Sequence, residues 1–339
     1  IPMAIEKKDF KKWIKKNNIE IILFNEQQWW MPIIWAKESG VICGSYIDYY
    51  TEETIPLFQV FDFLICNTKR HLEAFSWHSA VYYIPWGTDI DLFSPNSDEV
   101  VCKDGVVFFH SAGMSPERKG TDQLINAFAS LKGKKKLIIH SQVELSKKIP
   151  KQKKLIDALV SKGELELIIR TVKAPGLYYL GDVYVYPSRL EGIGLTIAEA
   201  IACGLPAIVP NNAPMNEFIK EGSGKTVVVD KYFSRADGYY WPQCEVSIKH
   251  LNDRMQFYLD NSSKLRTYKE NARKVAVENL DWSANKSELV AIFKGLKRAN
   301  INEYSAILRY EDKKSSSNWI RRLYVKFPFG FRLLSLFYV

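Results

Sequence analysis

The 339-residue chain has no uninterrupted run of about 18 apolar residues, the length a membrane-crossing helix requires. No basic-then-apolar leader opens it. It begins at Ile1 rather than methionine, which fits a processed chain or one cut from a longer protein. Cysteine is sparse. Cys43, Cys66, Cys102, Cys203 and Cys244 are odd in number and far apart, so they spell neither a zinc knuckle nor a redox pair. Buried thiols in a reducing, cytoplasmic compartment are the expectation. Histidine is equally sparse: His71, His78, His110, His140 and His250 show no metal-ligand spacing. They offer no Ser-His-Asp arrangement, and only His110, at the end of an expected strand, invites attention as a cleft residue. Zinc-finger spacing and compact basic-aromatic modules are absent, so the net charge of +9 does not point to nucleic acid. It suits solubility, or attraction to a nucleotide diphosphate or an anionic membrane surface. No repeat of solenoid period occurs.

What is present is an alternation of short apolar runs with amphipathic stretches, the pattern of a parallel sheet flanked by helices. The length suggests two domains. In the first part, strands are expected at 19–24, 41–47, 61–66 and 81–84, with helices at 30–38, 52–60 and 69–77. Residues 1–18 read as a basic amphipathic helix. Pro85 to Pro95, with two prolines and Gly87, breaks the pattern as a linker. In the second part, strands are expected at 106–110, 137–140, 165–171, 183–186, 207–209 and 226–229. Helices are expected at 121–131, 151–161, 195–203 and 216–220, and the pattern is helical from Val246 to about Arg298.

The stretch Leu190 to Pro210, LEGIGLTIAEAIACGLPAIVP, carries the chemistry. Glu191 precedes a loop containing Gly192 and Gly194. A helix follows from Leu195, with Glu199 in its first or second turn, and Gly204 precedes a short strand. A helix starting after such a loop offers free N–H groups and the positive end of its dipole to a phosphate. Carboxylates beside it accept hydrogen bonds from vicinal hydroxyls. Phosphate and hydroxyls together suggest a nucleotide sugar.

This segment, with Gly181 to Ser188 before it and Arg118-Lys119-Gly120 upstream, resembles the donor-site motifs of the retaining glycosyltransferases of family 4, glycosyl transferases group 1. The likeness covers residues 81–300 well and 19–80 loosely. It implies an α/β fold of two facing Rossmann-like domains (GT-B), with a short or truncated amino-terminal domain. Residues 1–92 would form the acceptor side, 93–300 the nucleotide-sugar donor domain, and 301–339 a tail. The resemblance implies that Glu199 binds ribose hydroxyls and that Glu191 lies by the sugar. It further implies that Lys119 neutralises the departing diphosphate, with Arg118 beside it either assisting, facing solvent or making an ion pair. Gly192, Ile193, Gly194, Leu195 and Thr196 would cradle the donor. Some relatives carry an arginine where this chain has Gly113, so the diphosphate site would have one cation fewer, or backbone N–H groups of that loop would substitute. Backbone atoms of Thr171 and Val172 would meet the base, against the plainer reading of a strand end. Asp48, after a strand of the first domain, is a candidate for orienting the acceptor, with helix capping as its competing role.

No metal or cofactor is implied. Asp89-Ile90-Asp91 resembles a metal-binding Asp-x-Asp, but it lies in the linker, and two isolated aspartates do not supply the oxygens a hard cation needs. The leaving phosphate would take the acceptor's proton on the face from which it departs. The expected function is thus transfer of a hexose from a nucleotide-diphosphate sugar to a glycan or lipid-linked acceptor. Two rivals stand. The short first domain, lacking the usual opening strand and glycine-rich loop, favours a non-catalytic donor-binding or scaffolding subunit. An epimerase would need histidine and acid groups over the sugar, which cannot be located. The tail 318–339 mixes Arg321, Arg322, Lys326 and Arg332 with aromatics after Lys313-Lys314-Ser315-Ser316-Ser317. It suits either packing back on the first domain or contact with a membrane or partner.

Overall fold

The computed structural model describes residues 5–25, 29–95, 105–299 and 304–314; the tail 318–339 lies outside them. The first part is a four-stranded parallel sheet of β1 (Ile21–Asn25), β2 (Ile42–Ile47), β3 (Phe63–Cys66) and β4 (Val81–Tyr83), in that order. The basic helix expected near the start is α1 (Lys7–Lys16), which turns Ile14 inward and most of its lysines outward. It packs beside α2 (Met31–Glu38), and α3 (Lys69–Ala74) follows β3. The helix expected at 52–60 is instead a 3₁₀ segment, Ile55–Val60, with Pro56 in its first turn. Trp30, Ile33, Tyr50, Phe58, Phe61 and Phe75 fill the core on this side.

A buried ion pair ties this core together. Lys37 and Asp62 are both inaccessible, with Nζ 2.7 Å from Oδ1. Asp62 also accepts from the N–H groups of Cys43 and Ala299, each at 2.7 Å.

The second part holds β5 (Val106–Gly113), α4 (Thr121–Ala129), β6 (Lys135–Ser141), α5 (Leu145–Lys148), α6 (Lys153–Ser161) and β7 (Leu165–Ile169). It continues with β8 (Val183–Val185), α7 (Leu195–Ala202), β9 (Ala207–Pro210) and β10 (Gly224–Val227). Its six parallel strands run β10-β9-β8-β5-β6-β7. The order reverses beside β5, and in such sheets the crevice beyond the carboxyl ends of the strands at that reversal is where ligands bind.

A two-stranded antiparallel ribbon, β11 (Val229–Phe233) and β12 (Gln243–Val246), follows and has no counterpart among the expected elements. Then come α8 (Ile248–Asp260), α9 (Leu265–Asn279) and α10 (Trp282–Gly295). The chain crosses back here. Trp282 stacks on Trp86 at 4.6 Å between centroids, and Phe293 meets Phe63 edge-on at 6.0 Å. Residues 305–314 are helical and bury Ile307 in the first part's core.

Candidate functional site

The loop from Pro187 to Gly194 and the loop from Ser115 to Gly120 meet at the β5/β8 reversal. Both are fixed from outside the site. Arg189 donates to both oxygens of Asp122 on α4, at 2.8 Å each, and its backbone N–H donates to the Arg118 carbonyl at 2.8 Å. Cys244 of β12 in turn donates its N–H to the Arg189 carbonyl. Gly120 allows the loops to close: a β-carbon there would lie 2.0 Å from the Pro187 carbonyl oxygen, and φ is +69°.

This scaffold gathers charge on one oxygen. Glu191 is 7% exposed. Its Oε1 accepts from Lys119 Nζ at 2.8 Å, Arg118 at 2.9 Å, Tyr186 at 3.0 Å and Ser188 at 2.5 Å. Lys119 also bonds the Tyr186 hydroxyl, and Arg118 the Leu190 carbonyl. Burial opposes ionisation of Glu191, but the Lys119 and Arg118 cations outweigh it and hold the carboxyl below its ordinary value. Burial also pulls the Lys119 ammonium down, against the attraction of Glu191. Burial pushes the Tyr186 phenol well above its ordinary range, so it stays a donor to Glu191.

Immediately beyond, Gly194 takes φ +91° as the residue before α7, a conformation that suits glycine. Gly192, Ile193, Gly194, Leu195 and Thr196 line a cleft of about 510 Å³ with Arg118, Lys119 and Glu191. Its opposite wall comes from the first part and includes Asp48, Tyr49, Asn67 and His71. Thr196 also lines a neighbouring recess of about 240 Å³, which holds Glu199, Val172, Phe93 and His140. There Glu199 accepts from the Tyr178 hydroxyl at 2.5 Å. Burial raises the Glu199 carboxyl above its ordinary value, opposed by the Tyr178 bond and Lys119. Gly113 and Thr171 line neither recess; Gly113 ends β5, and its carbonyl accepts from Gln142 and Ser141.

The family model for glycosyl transferases group 1 matches residues 97–275, more than half of the chain. The chain belongs to the glycosyl transferases group 1 family. The match spans both clusters, the Lys119–Glu191 group and Glu199. Two relatives are similar in sequence. The GDP-mannose-dependent alpha-(1-6)-phosphatidylinositol monomannoside mannosyltransferase of Mycolicibacterium smegmatis is 25% identical over 187 residues, 47% of this chain and 46% of that protein. The MMP alpha-(1->4)-mannosyltransferase of Mycolicibacterium hassiacum is 23% identical over 219 residues, 63% and 48% of the respective chains. This chain thus spans about half the length of the curated relatives it matches.

Among solved structures, a glycosyltransferase from Rickettsia africae superposes with a TM-score of 0.72 at 16% identity, covering 87% of this chain and 84% of that one. Anabaena HepE in complex with UDP superposes with a TM-score of 0.69 at 15% identity, covering 86% and 82%. The group 1 family fold, two facing α/β units, is the fold of this chain.

Within that family frame, the structure brings Glu191, Lys119, Arg118 and the Gly192–Thr196 loop into one cleft and seats Glu199 in the adjoining recess. Asp48 lies on the cleft wall of the first part, where its carbonyl accepts from Tyr239. One expectation is corrected. His110 does not face the cleft. It is fully buried, with Nδ1 2.8 Å from the Val185 carbonyl oxygen and Nε2 2.8 Å from Thr121 Oγ1, and burial lowers its pKa to about 4. Strand β5 runs on to Gly113, so His110 is a mid-strand residue bracing β8 and α4. In the linker, Asp89 Oδ1 accepts from the N–H groups of Asp91 and Leu92, a turn-building role.

Sequence reading passed over Tyr178 and Arg189, and it included Tyr186 and Ser188 in the Gly181–Ser188 match without a role, since their roles depend on packing. It also passed over Arg70 and the ribbon tip. Tyr49 stacks on Tyr239 at 5.3 Å, Tyr240 donates its N–H to the Tyr50 carbonyl, and Trp241 donates to the Tyr50 hydroxyl at 2.6 Å.

Proposed function

We propose that this chain transfers a hexose from a nucleotide-diphosphate sugar to a hydroxyl of a glycan or lipid-linked acceptor, with retention of configuration and without a divalent ion. The observation that carries this reading is the convergence of Lys119 and Arg118 on Glu191 at the amino end of α7. A diphosphate in the cleft would meet both cations and the free amides of the helix. These groups stabilise charge as it develops on the leaving group. Glu199 in the adjoining recess suits ribose hydroxyls, with the base extending past Val172. The GDP-mannose dependence of the Mycolicibacterium smegmatis relative and the UDP seen in a structural neighbour support a nucleotide-diphosphate donor.

With its Oε1 held by two cations, Glu191 suits charge balance and sugar contact better than nucleophilic attack. In this reading the sugar C1–O bond to phosphate breaks, and the acceptor oxygen bonds C1 on the same face. The acceptor's proton passes to the departing phosphate. The acceptor would enter along the wall holding Asp48. Catalysis is then mainly positioning and leaving-group stabilisation. The basic aromatic sequence 318–339 suits docking at the membrane where a lipid-linked acceptor resides.

The test is to incubate the full chain with GDP-mannose or UDP-glucose, with glycan and polyprenyl-linked acceptors, in excess EDTA. The anomeric configuration of the product is read by NMR. Transfer with retention in EDTA supports the reading; inversion, or strict dependence on manganese or magnesium, refutes it. The four-stranded first sheet favours the second reading, a donor-binding subunit. That subunit would bind nucleotide diphosphate without hydrolysis or transfer.

A further inference from the structure

Glu191 is gripped at both ends. Its carboxylate is held from within the second part, but its backbone carbonyl is held from the first. Arg70, on α3, is 3% exposed. One guanidinium nitrogen donates to the Glu191 carbonyl at 2.5 Å and lies 3.3 Å from the Tyr239 hydroxyl. The other donates to the Ala213 carbonyl at 2.7 Å. The guanidinium also lies 5.4 Å from the centre of the Trp241 ring. A buried arginine thus spends its charge on two carbonyls, a hydroxyl and an aromatic face, all in the facing part of the molecule. A planar fork with several fixed donors suits such a task, and an ammonium does not replace it.

We infer that Arg70 is a positioning residue: it couples closure of the two halves to the placement of Glu191 and of the Gly192–Gly194 loop that presents the amino end of α7. The inference rests on the transferase reading and adds a residue of the acceptor half to the machinery of the donor half. When the halves part, the Glu191 carbonyl loses its donor, and the loop following it is held from one side only. Lys119, α7 and Glu199 all lie in the second part, so nucleotide diphosphate can bind in the open state. The geometry needed for transfer is completed on closure.

A second contact between the halves serves as the control. Glu217 accepts from the N–H groups of Lys69 and Arg70, at 2.7 and 3.2 Å, and so fastens α3 without touching Glu191. The experiment compares Arg70→Ala, Arg70→Lys and Glu217→Ala in the full chain. It measures kcat and donor KM, affinity for UDP and GDP by calorimetry, and hydrogen exchange of the amides of residues 190–196. Arg70→Ala should lower kcat roughly 10- to 100-fold, the loss expected for one charge-assisted hydrogen bond made in the reacting state. Nucleotide affinity and KM should change less than about threefold. Exchange at 190–196 should quicken, and Arg70→Lys should recover part of the rate. Glu217→Ala should leave the 190–196 amides as in the wild type.

Equal effects of Arg70→Ala and Glu217→Ala on kcat and on exchange would reduce Arg70 to a tether and overturn the inference. So would nucleotide affinity falling as steeply as kcat. If the wild-type chain transfers no sugar, the transferase reading fails instead. The exchange comparison still decides whether Arg70 holds the loop.

Discussion

Replacing Lys119 by alanine separates the stabilising role of its ion pair from the chemical role proposed for it. The mutation removes an ammonium 2.8 Å from Glu191 Oε1. Breaking a buried pair by deleting one partner typically costs about 3–5 kcal/mol. Here Arg118, Ser188 and Tyr186 remain on the same oxygen at 2.9, 2.5 and 3.0 Å. The expected loss of stability is therefore smaller, about 1.5–3 kcal/mol, in the range of a single hydrogen bond to a charged group. In the proposed reaction the chemical loss should be larger, because negative charge would grow on the diphosphate as it leaves and, among the described residues, no other lysine lines the cleft. Removing one such stabiliser costs ~10²–10³ in rate. Lys119→Arg should restore only part, since a fork replaces a compact charge. The double variant Lys119→Ala/Glu191→Gln removes both charges and should regain stability without regaining rate. The assays are urea unfolding, donor affinity by calorimetry and single-turnover transfer. A Lys119→Ala protein with near-normal single-turnover rate would refute the reasoning and leave Lys119 a structural partner of Glu191.

Three further outcomes are expected. Burial raises the Glu199 carboxyl, so its contribution to stability is present at acid pH and lost as pH rises through that raised value; donor affinity should fall as pH is lowered toward it. Glu199→Gln should flatten the affinity profile at a level lower by about 1.5–3 kcal/mol, and an unchanged calorimetric profile would remove Glu199 from the site. Buried neutral His110 titrates near 4 rather than near 6.5, so stability should decline as pH falls from about 6.5 toward about 4; His110→Gln should make urea midpoints less pH-dependent across that window. Gly120→Ala drives a β-carbon to 2.0 Å from the Pro187 oxygen and should cost at least about 2 kcal/mol in urea unfolding, whereas at Gly192 an added β-carbon meets nothing within 4 Å and Gly192→Ala should be near neutral.

Legibility in the sequence followed the range of the interactions involved. Helix α7 begins at Leu195, as expected, because Gly194 before it and the apolar spacing after it are local signals. The strands of both sheets were readable because buried parallel strands are short apolar runs between turn residues. The β11–β12 ribbon was not readable: Asp230, Lys231 and Tyr232 are all exposed in β11, so no alternation marks it. Its tip is held by Tyr49, Tyr50 and Thr51, residues nearly two hundred positions away. His110 misled for a related reason, since the sequence places it near a strand end while its partners, Val185 and Thr121, are set by packing. Glu191, Glu199, Arg118 and Lys119 were visible as motifs, whereas Arg235, which also lines the cleft, was not. The roles of the hydroxyls and of Arg70 that hold the motif residues were not visible either, because a Tyr, Ser or Arg shows no function until its partner is known.

The buried carboxylate of Asp62 has a consequence for synthesis on the ribosome. Its second backbone donor is Ala299, and Ile307 fills part of the same core. The first part of the molecule therefore emerges with this side chain lacking one backbone donor and an apolar face lacking its cover. Both arrive roughly two hundred residues later, which at about 5–20 residues per second means a wait of roughly ten to forty seconds. Although it is made before the second part, this half completes its core last, after the six-stranded sheet beside the cleft is already out of the exit tunnel. The nascent chain should accordingly lean on chaperones through its amino-terminal segment.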